Sequence, residues 1–294
     1  MSMSLRLLVL GLVLLAQQPC ADLYAQQTES ASRFVRFVAG SDVWQGELQT
    51  AISSYRNDAG VLLDLVATVH IADQAYYAEL NDYFSTRDAV LYELVADANV
   101  RPSPDSQVSN SSVLGFVQRS LASFLDVSFQ LEQIDYSPAN FRHADLNPAQ
   151  LRQIMQDKNE NFFSMFISLA LAQLATQQSQ NGNSATTSSF NLLALVSALI
   201  AEDQTSAFKY LFAKELGRSD GMIVGPVLEQ QLTILGDRNR AALDVLVDSL
   251  NNPNEQKLSI FYGAAHMPGI EREIIRSLGF QKRQQRWLTA WKIP

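Results

Sequence analysis

"VLLDLVATVHIADQAYYAELNDYFSTRDAVLYELV", Val61 to Val95, decides the fold. Val61–Val69 is almost unbroken in apolar residues, the pattern of a strand covered on both faces. "DQAYYAELNDYFSTR" follows with helical character, and Asp73 stands where an N-cap belongs. "DAVLYELV", Asp88–Val95, is a second short apolar strand. Strand, helix and strand at this spacing predict a βαβ unit, with parallel strands and a right-handed crossover. Upstream, "NDAG" at Asn57–Gly60 signals a turn, and "VWQGELQTAISSYR" reads as one strand or a pair.

The layout returns near the C-terminus. "KLSIFYGAAH", from Lys257, predicts a strand, and "GIEREIIRSLG" predicts a helix closed by Gly279. "GDRNRAALDVLVDSLNN", Gly236–Asn252, is a helix with Leu243, Leu246, Val247 and Leu250 on one face. "FQKRQQRWLTAWKI" reads as a closing strand or hairpin. Between these parts, helical patterns run from about 113 to 220. One begins at Asn147 with Pro148 at the first helical position, and another is "FNLLALVSALIAEDQTSAFKYLFAKEL". The expected architecture is α/β: a central mixed, mainly parallel sheet flanked by helices, with an inserted helical subdomain. Each apolar run in the middle is shorter than the roughly 18 residues of a membrane span. A hairpin or lid on the sheet is expected there, with a membrane-surface or partner contact as the alternative reading.

A chain of 294 residues is long enough for a substantial core. Its net charge of -8 argues against a general nucleic-acid binder, which needs clustered Lys and Arg. The one basic cluster, "QKRQQR" at Gln281–Arg286, is short and reads as a solvated turn or strand edge. Residues 1–25 have the form of a secretory signal: Arg6, then apolar Leu7–Ala16, then small residues for cleavage after Ala21 or Ala25. This predicts an exported protein, periplasmic or secreted, with residues 26–294 as one domain. Cys20 is the only cysteine. A mature chain without it has neither disulfide nor thiol nucleophile, and any metal site must use His, Asp, Glu and water. Such donors favour Mn, Co, Zn or Fe(II).

Chemistry in open α/β sheets gathers beyond the C-terminal ends of the strands. His70 and His266, two of three histidines in the chain, fall at such ends, each three positions after a small residue, Ala67 or Gly263. If their strands are neighbours, the imidazoles converge. Glu93 interrupts a strand built for burial, so it must be paired, protonated or metal-bound. Arg238 and Asn239 stand at a helix start, where a guanidinium can pair with Glu93 or meet an oxyanion. His143 and Asp145 form a His-x-Asp, either a ligand pair, a second-shell relay or an ordinary loop before a capped helix. No Gly-x-Ser-x-Gly elbow, His-Glu-x-x-His helix or Walker loop is present.

"VATVHIADQAYYAEL", "VLYELV", "DRNRAALDVL" and "FYGAAHMPGIEREIIRSLGF", in this order, resemble the TraB family, which includes PrgY, the GumN proteins and the TIKI proteases. Members carry two Gly-x-x-His motifs, a Glu after the first and an Arg-Asn pair before the second. Here the second motif matches in full, and the first has Ala67 in place of Gly. The likeness covers about residues 40–97 and 225–292, with "IDYSPANFRHADL" as a weaker segment. The resemblance implies a fold related to erythromycin esterase and the ChaN haem-binding proteins. It also implies a divalent-metal-dependent peptidase using Mn, Co or Zn and acting on a peptide or protein. By position, His70 and His266 are then metal ligands or essential histidines. Glu93 is a ligand or general base, Arg238 positions that carboxylate or stabilises an oxyanion, and Asn239 supports. The same resemblance allows two alternatives: a non-catalytic protein that sequesters a peptide or haem, and a metal-independent esterase.

Overall fold

The apolar runs of the opening stretch become strands of one sheet. A computed structural model of the chain describes residues 33–102, 127–158, 197–198, 200–218 and 233–294. These lie in one compact unit, Arg33–Pro294. The strands are β1 (Val35–Ala39), β2 (Gly46–Arg56), β3 (Leu62–Thr68), β4 (Ile71–Ala72), β5 (Ala89–Tyr92), β6 (Ser128–Phe129), β7 (Phe141–His143), β8 (Lys257–Gly263) and β9 (Gln281–Ile293). The helices are α1 (Gln74–Phe84), α2 (Gln130–Gln133), α3 (Pro148–Asp157), α4 (Gln204–Arg218), α5 (Arg238–Leu250) and α6 (Met267–Ser277). A π-helical turn, Thr233–Asp237, leads into α5, and a 3₁₀ turn, Ala264–His266, leads into α6.

Seven strands form the main sheet, in the order β1-β2-β3-β8-β5-β7, with β9 on the other edge of β2. β3, β8, β5 and β7 are mutually parallel. β2 runs antiparallel to β1, β3 and β9. The fold is α/β with a mixed, mostly parallel sheet, as the sequence predicts. β3 and β5 are parallel as expected, but β8 lies between them, so the α1 crossover spans one strand. Every residue of β5, and all but the first of β3 and β8, is buried or nearly so, which is why these segments lack alternation. β9 is an edge strand whose basic start, Gln281–Arg286, is largely exposed, in keeping with a solvated strand edge.

Local signals act where the sequence places them, with one exception. Gly60 takes φ 87° in the turn before β3, and Asn57 Oδ1 accepts from Val61 N–H at 2.9 Å. Asn147 caps α3 with a full capping box, Pro148 following it. Asp73 occupies the N-cap position of α1 without capping it. Its carboxylate instead accepts from Lys209 of α4 at 2.7 Å and from Lys292 N–H at 2.6 Å. A lysine ammonium outcompetes the exposed amides of a helix end for this carboxylate.

The expected helical insertion at about 113–220 is corrected by β7, a strand of the main sheet, and by β6, which pairs with β4. Its described helices are α2, α3 and α4, and residues 113–126, 159–196, 199 and 219–220 lie outside the described part, as does the expected signal at 1–25. α4 packs on β1, β2 and β9 through Phe37, Trp44 and Tyr210, whose rings meet edge-on. Its Lys209–Asp73 pair fixes it beside the loop after His70. Among the described residues, no helix is long and apolar enough to cross a membrane.

Candidate functional site

Register brings the two histidine motifs together. β3 and β8 are parallel neighbours, and Thr68 pairs with Gly263 at their C-terminal ends. His70 and His266 therefore leave adjacent strands two and three residues later. On the other side of β8, Tyr92 pairs with Phe261, and Glu93 follows, its N–H donating to Phe261 O at 3.1 Å. β7 is next, with Asp145 two residues beyond its end. The first turn of α5 closes over these ends and delivers Arg238 and Asn239.

Gly263 is the floor of the arrangement. A β-carbon there would stand 3.3 Å from Glu93 Oε2, 3.7 Å from His70 Nε2 and 3.9 Å from His266 Cδ2. The carboxylate and both imidazoles thus surround one small space. Gly263 has φ -53° and ψ 141°, which any residue adopts, so this glycine serves room and not backbone freedom. Its N–H donates to Glu93 Oε2 at 2.6 Å.

Arg238 and two carboxylates form the wall. Its Nη2 donates to Glu93 Oε1 at 2.7 Å and to Asp145 Oδ2 at 2.6 Å, and its Nε donates to Asp145 Oδ1 at 3.0 Å. The Asp145 side chain is fully buried. Burial pushes the Glu93 carboxyl up, but His266, Arg238 and His70 outweigh it and hold it well below the usual carboxylate range. Glu93 is therefore ionised at neutral pH and a poor proton acceptor. Burial opposes the Arg238 charge, and Asp145 with Glu93 more than restores it. One guanidinium against two carboxylates leaves the cluster one negative charge when both imidazoles are neutral.

Each histidine is oriented by a side-chain amide. His266, buried and edge-on to Tyr262 at 5.2 Å, has its Nδ1 2.7 Å from Asn239 Oδ1. Asn239 Nδ2 faces the His266 carbonyl at 3.5 Å, and a carbonyl only accepts, so Oδ1 must face the ring. His266 then carries a proton on Nδ1, and its Nε2 stands 3.5 Å from Glu93 Oε1. An imidazolium Nε2–H meets the carboxylate directly, whereas a neutral Nε2 is an acceptor facing an acceptor and needs a cation between them. His70, exposed at the rim, has Nδ1 3.3 Å from Gln130 Oε1 and turns Nε2 toward the Gly263 space.

Among the described residues, no three imidazole or carboxylate donors already stand at metal-binding spacing. One pair of donors, Glu93 and His266, is nevertheless spaced as two ligands of a divalent ion are. The 3.5 Å separation of Glu93 Oε1 from His266 Nε2 is close to the ~3.4 Å edge between two ligands about 2.1 Å from a tetrahedral ion. The third donor, His70 Nε2, faces the same space, and each ring's Nδ1 lies within hydrogen-bond distance of an amide oxygen, the usual outer support of a metal-bound imidazole.

Of the residues expected at the site, His70, Glu93, Asp145, Arg238, Asn239 and His266 meet there. His143 does not pair with Asp145: its Nε2 donates to Leu94 O at 2.6 Å and its ring stands edge-on to Tyr92, holding the backbone that follows Glu93. Asp145 belongs to Arg238. Gln130 and the Gly263 N–H are contacts that the motifs do not reveal. A groove of about 500 Å³ lies between α5 and α6, lined by Asn239, Leu243, Val247 and Leu278, with Arg240, Asp244, Arg272 and Glu273 also in its walls. No family model, curated protein or solved structure matches the chain.

Gly263→Ala provides a local test of the small space. Stability is expected to change by less than about 1 kcal/mol, because crowding of Glu93 opposes the unfolded-state entropy gain of about 0.4–1 kcal/mol. If a divalent ion is held beside Gly263, its affinity is expected to fall at least about tenfold, since the added methyl would occupy the space that Glu93, His70 and His266 face. Urea unfolding and metal titration of the same sample check both halves.

Proposed function

We propose that this chain is an exported hydrolase of the TraB and GumN type, a divalent-metal-dependent peptidase using Mn, Co or Zn. The observation that carries the reading is the pair His266 Nε2 and Glu93 Oε1, 3.5 Å apart beside a glycine that leaves the space open. His70, His266 and Glu93 would hold the ion, whose net-negative surroundings complement a double positive charge. A bound divalent ion supplies a Lewis acid and a water acidified toward neutrality.

The chain's own residues supply the rest. Arg238 and the Gly263 N–H fix both Glu93 oxygens, so Glu93 serves as a positioned charge and not as a general base. Asp145 holds Arg238 in plane through two hydrogen bonds. This engagement makes Arg238 a positioning group before it is an oxyanion donor. Asn239 orients His266. His70 sits at the solvent-facing rim, where a substrate arrives. The α5–α6 groove, mixed in charge and partly apolar, suits an extended peptide beside Asn239.

A second reading rests on the same 3.5 Å gap. A protonated His266 would satisfy Glu93 as an imidazolium–carboxylate pair, leaving His70 as general base of a metal-free esterase. The test is metal analysis of the purified protein, followed by chelation, add-back of Mn, Co or Zn, and parallel assays with peptide and ester substrates. Peptidase activity lost on chelation and restored by one of these ions is the expected result. Ester hydrolysis indifferent to chelation would select the second reading.

A further inference from the structure

His70 is held by a segment that none of the four motifs includes. The β4–β6 ribbon pairs Ile71 with Phe129 and Ala72 with Ser128, which brings the start of α2 against the His70 loop. Gln130 then binds His70 twice. Its N–H donates to His70 O at 2.9 Å, and its Oε1 lies 3.3 Å from His70 Nδ1. Thr68 Oγ1 points at the same amide oxygen from 3.3 Å. The amide's other end, Nε2, donates to Tyr136 Oη at 3.0 Å. Gln130 and Tyr136 are both buried, and Tyr136 is wedged between the rings of Tyr92 and Phe141, at 5.0 and 5.7 Å. A buried amide clamped at both ends has little freedom to turn.

We propose that Gln130, anchored by Tyr136, is a positioning residue that fixes the tautomer of His70. The amide oxygen takes the Nδ1 proton and so turns an unprotonated Nε2 toward Gly263 and Glu93. Gln130 thereby does for His70 what Asn239 does for His266: two amides, from unrelated parts of the chain, set two imidazoles the same way. A neutral imidazole free in water favours the opposite tautomer, so the preference must come from the protein. The tautomer assignment stands whether or not an ion binds; only its effect on metal affinity rests on the metallohydrolase reading.

The test uses the full chain with 15N-labelled histidine. The chain has three histidines, and the signals absent from His70→Ala are those of His70. The expected wild-type spectrum shows His70 protonated on Nδ1. In Gln130→Met that signal moves toward the Nε2-protonated form, and in Gln130→Glu, which keeps an acceptor at Nδ1, it stays. Tyr136→Phe, which removes one oxygen and unclamps the amide, moves it part of the way, and it carries the comparison if Gln130→Met does not fold. Titration with Mn, Co and Zn is expected to show affinity reduced about 10–100-fold in Gln130→Met and largely recovered in Gln130→Glu. A wild-type His70 protonated on Nε2, or a tautomer unmoved by Gln130→Met and Tyr136→Phe, overturns the proposal. A tautomer that responds in a protein binding none of the three ions upholds Gln130 as a positioning residue and removes the metal.

Discussion

Replacing Arg238 with methionine is expected to remove about 3–5 kcal/mol of folding stability at neutral pH, the usual result of stripping one partner from a buried ion cluster. Arg238 is buried, and its guanidinium supplies three hydrogen bonds to Glu93 and Asp145. Without it, Glu93 keeps the Gly263 N–H, while Asp145 keeps the Leu146 N–H as a much weaker partner. The pH dependence follows from Glu93. Its folded pKa is depressed, so its charge contributes stability above its unfolded value, near 4.5, and that contribution disappears as pH falls through the lower folded value. Removing Arg238 takes away one of the groups holding that pKa down and leaves burial, which raises it. The variant's Glu93 then binds its proton at higher pH than the wild type's. The gap between variant and wild type should accordingly narrow as pH falls through the variant's Glu93 pKa toward the wild type's lower one. Urea midpoints measured downward from pH 7 as far as both proteins stay folded, at unchanged m-value, measure this. A difference under about 1 kcal/mol at pH 7 would mean that the cluster behaves like a surface pair.

The same cluster marks what sequence conveys and what it does not. Glu93 and Asp64 send one signal, a carboxylate inside an apolar strand. Asp64 sits in the middle of β3, where Tyr83 and Arg87 close on its Oδ2 at 2.6 and 2.7 Å. Glu93 stands one residue beyond β5, at the end where the sheet opens. Position along the strand, and not the charge, separates a structural ion pair from a site. The continuous apolar runs of β3, β5 and β8 were legible because burial on both faces writes itself into every residue. β7 was not, because Phe141–His143 is too short to carry a period and becomes a strand only by pairing with Val90–Tyr92. The neighbouring of β3 and β8 was legible only as a conditional: repeated motifs suggest it, but pairing across so long a separation is a tertiary event. Gln130 left no trace at all. It is a polar residue in a single helical turn, and its importance comes from what folds against it.

The contrast between the two histidines gives the other large expected effect. On the proposed metallopeptidase reading, His70→Ala and His266→Ala should each lower metal affinity and peptidase activity by more than about 100-fold, since loss of a ligand exceeds loss of its outer support. Their stability costs should differ. His70 is exposed at the rim and, among the described residues, its ring bonds only the Gln130 amide oxygen, so its removal is expected to cost about 1 kcal/mol, the worth of that hydrogen bond. His266 is buried against Tyr262, and its Nδ1 meets Asn239 at 2.7 Å. Truncation there leaves a cavity and removes a buried hydrogen bond, together about 2–4 kcal/mol. Equal functional loss with unequal structural loss is the signature of two groups serving one centre from different depths. A merely structural role for His266 would give lost stability with metal content retained at a temperature where the variant is folded. Metal content by elemental analysis, urea unfolding and turnover of a peptide substrate separate these cases. If both alanine variants hold as much metal as the wild type, neither imidazole is a ligand, and the paired Nε2 atoms around Gly263 must then act on protons alone.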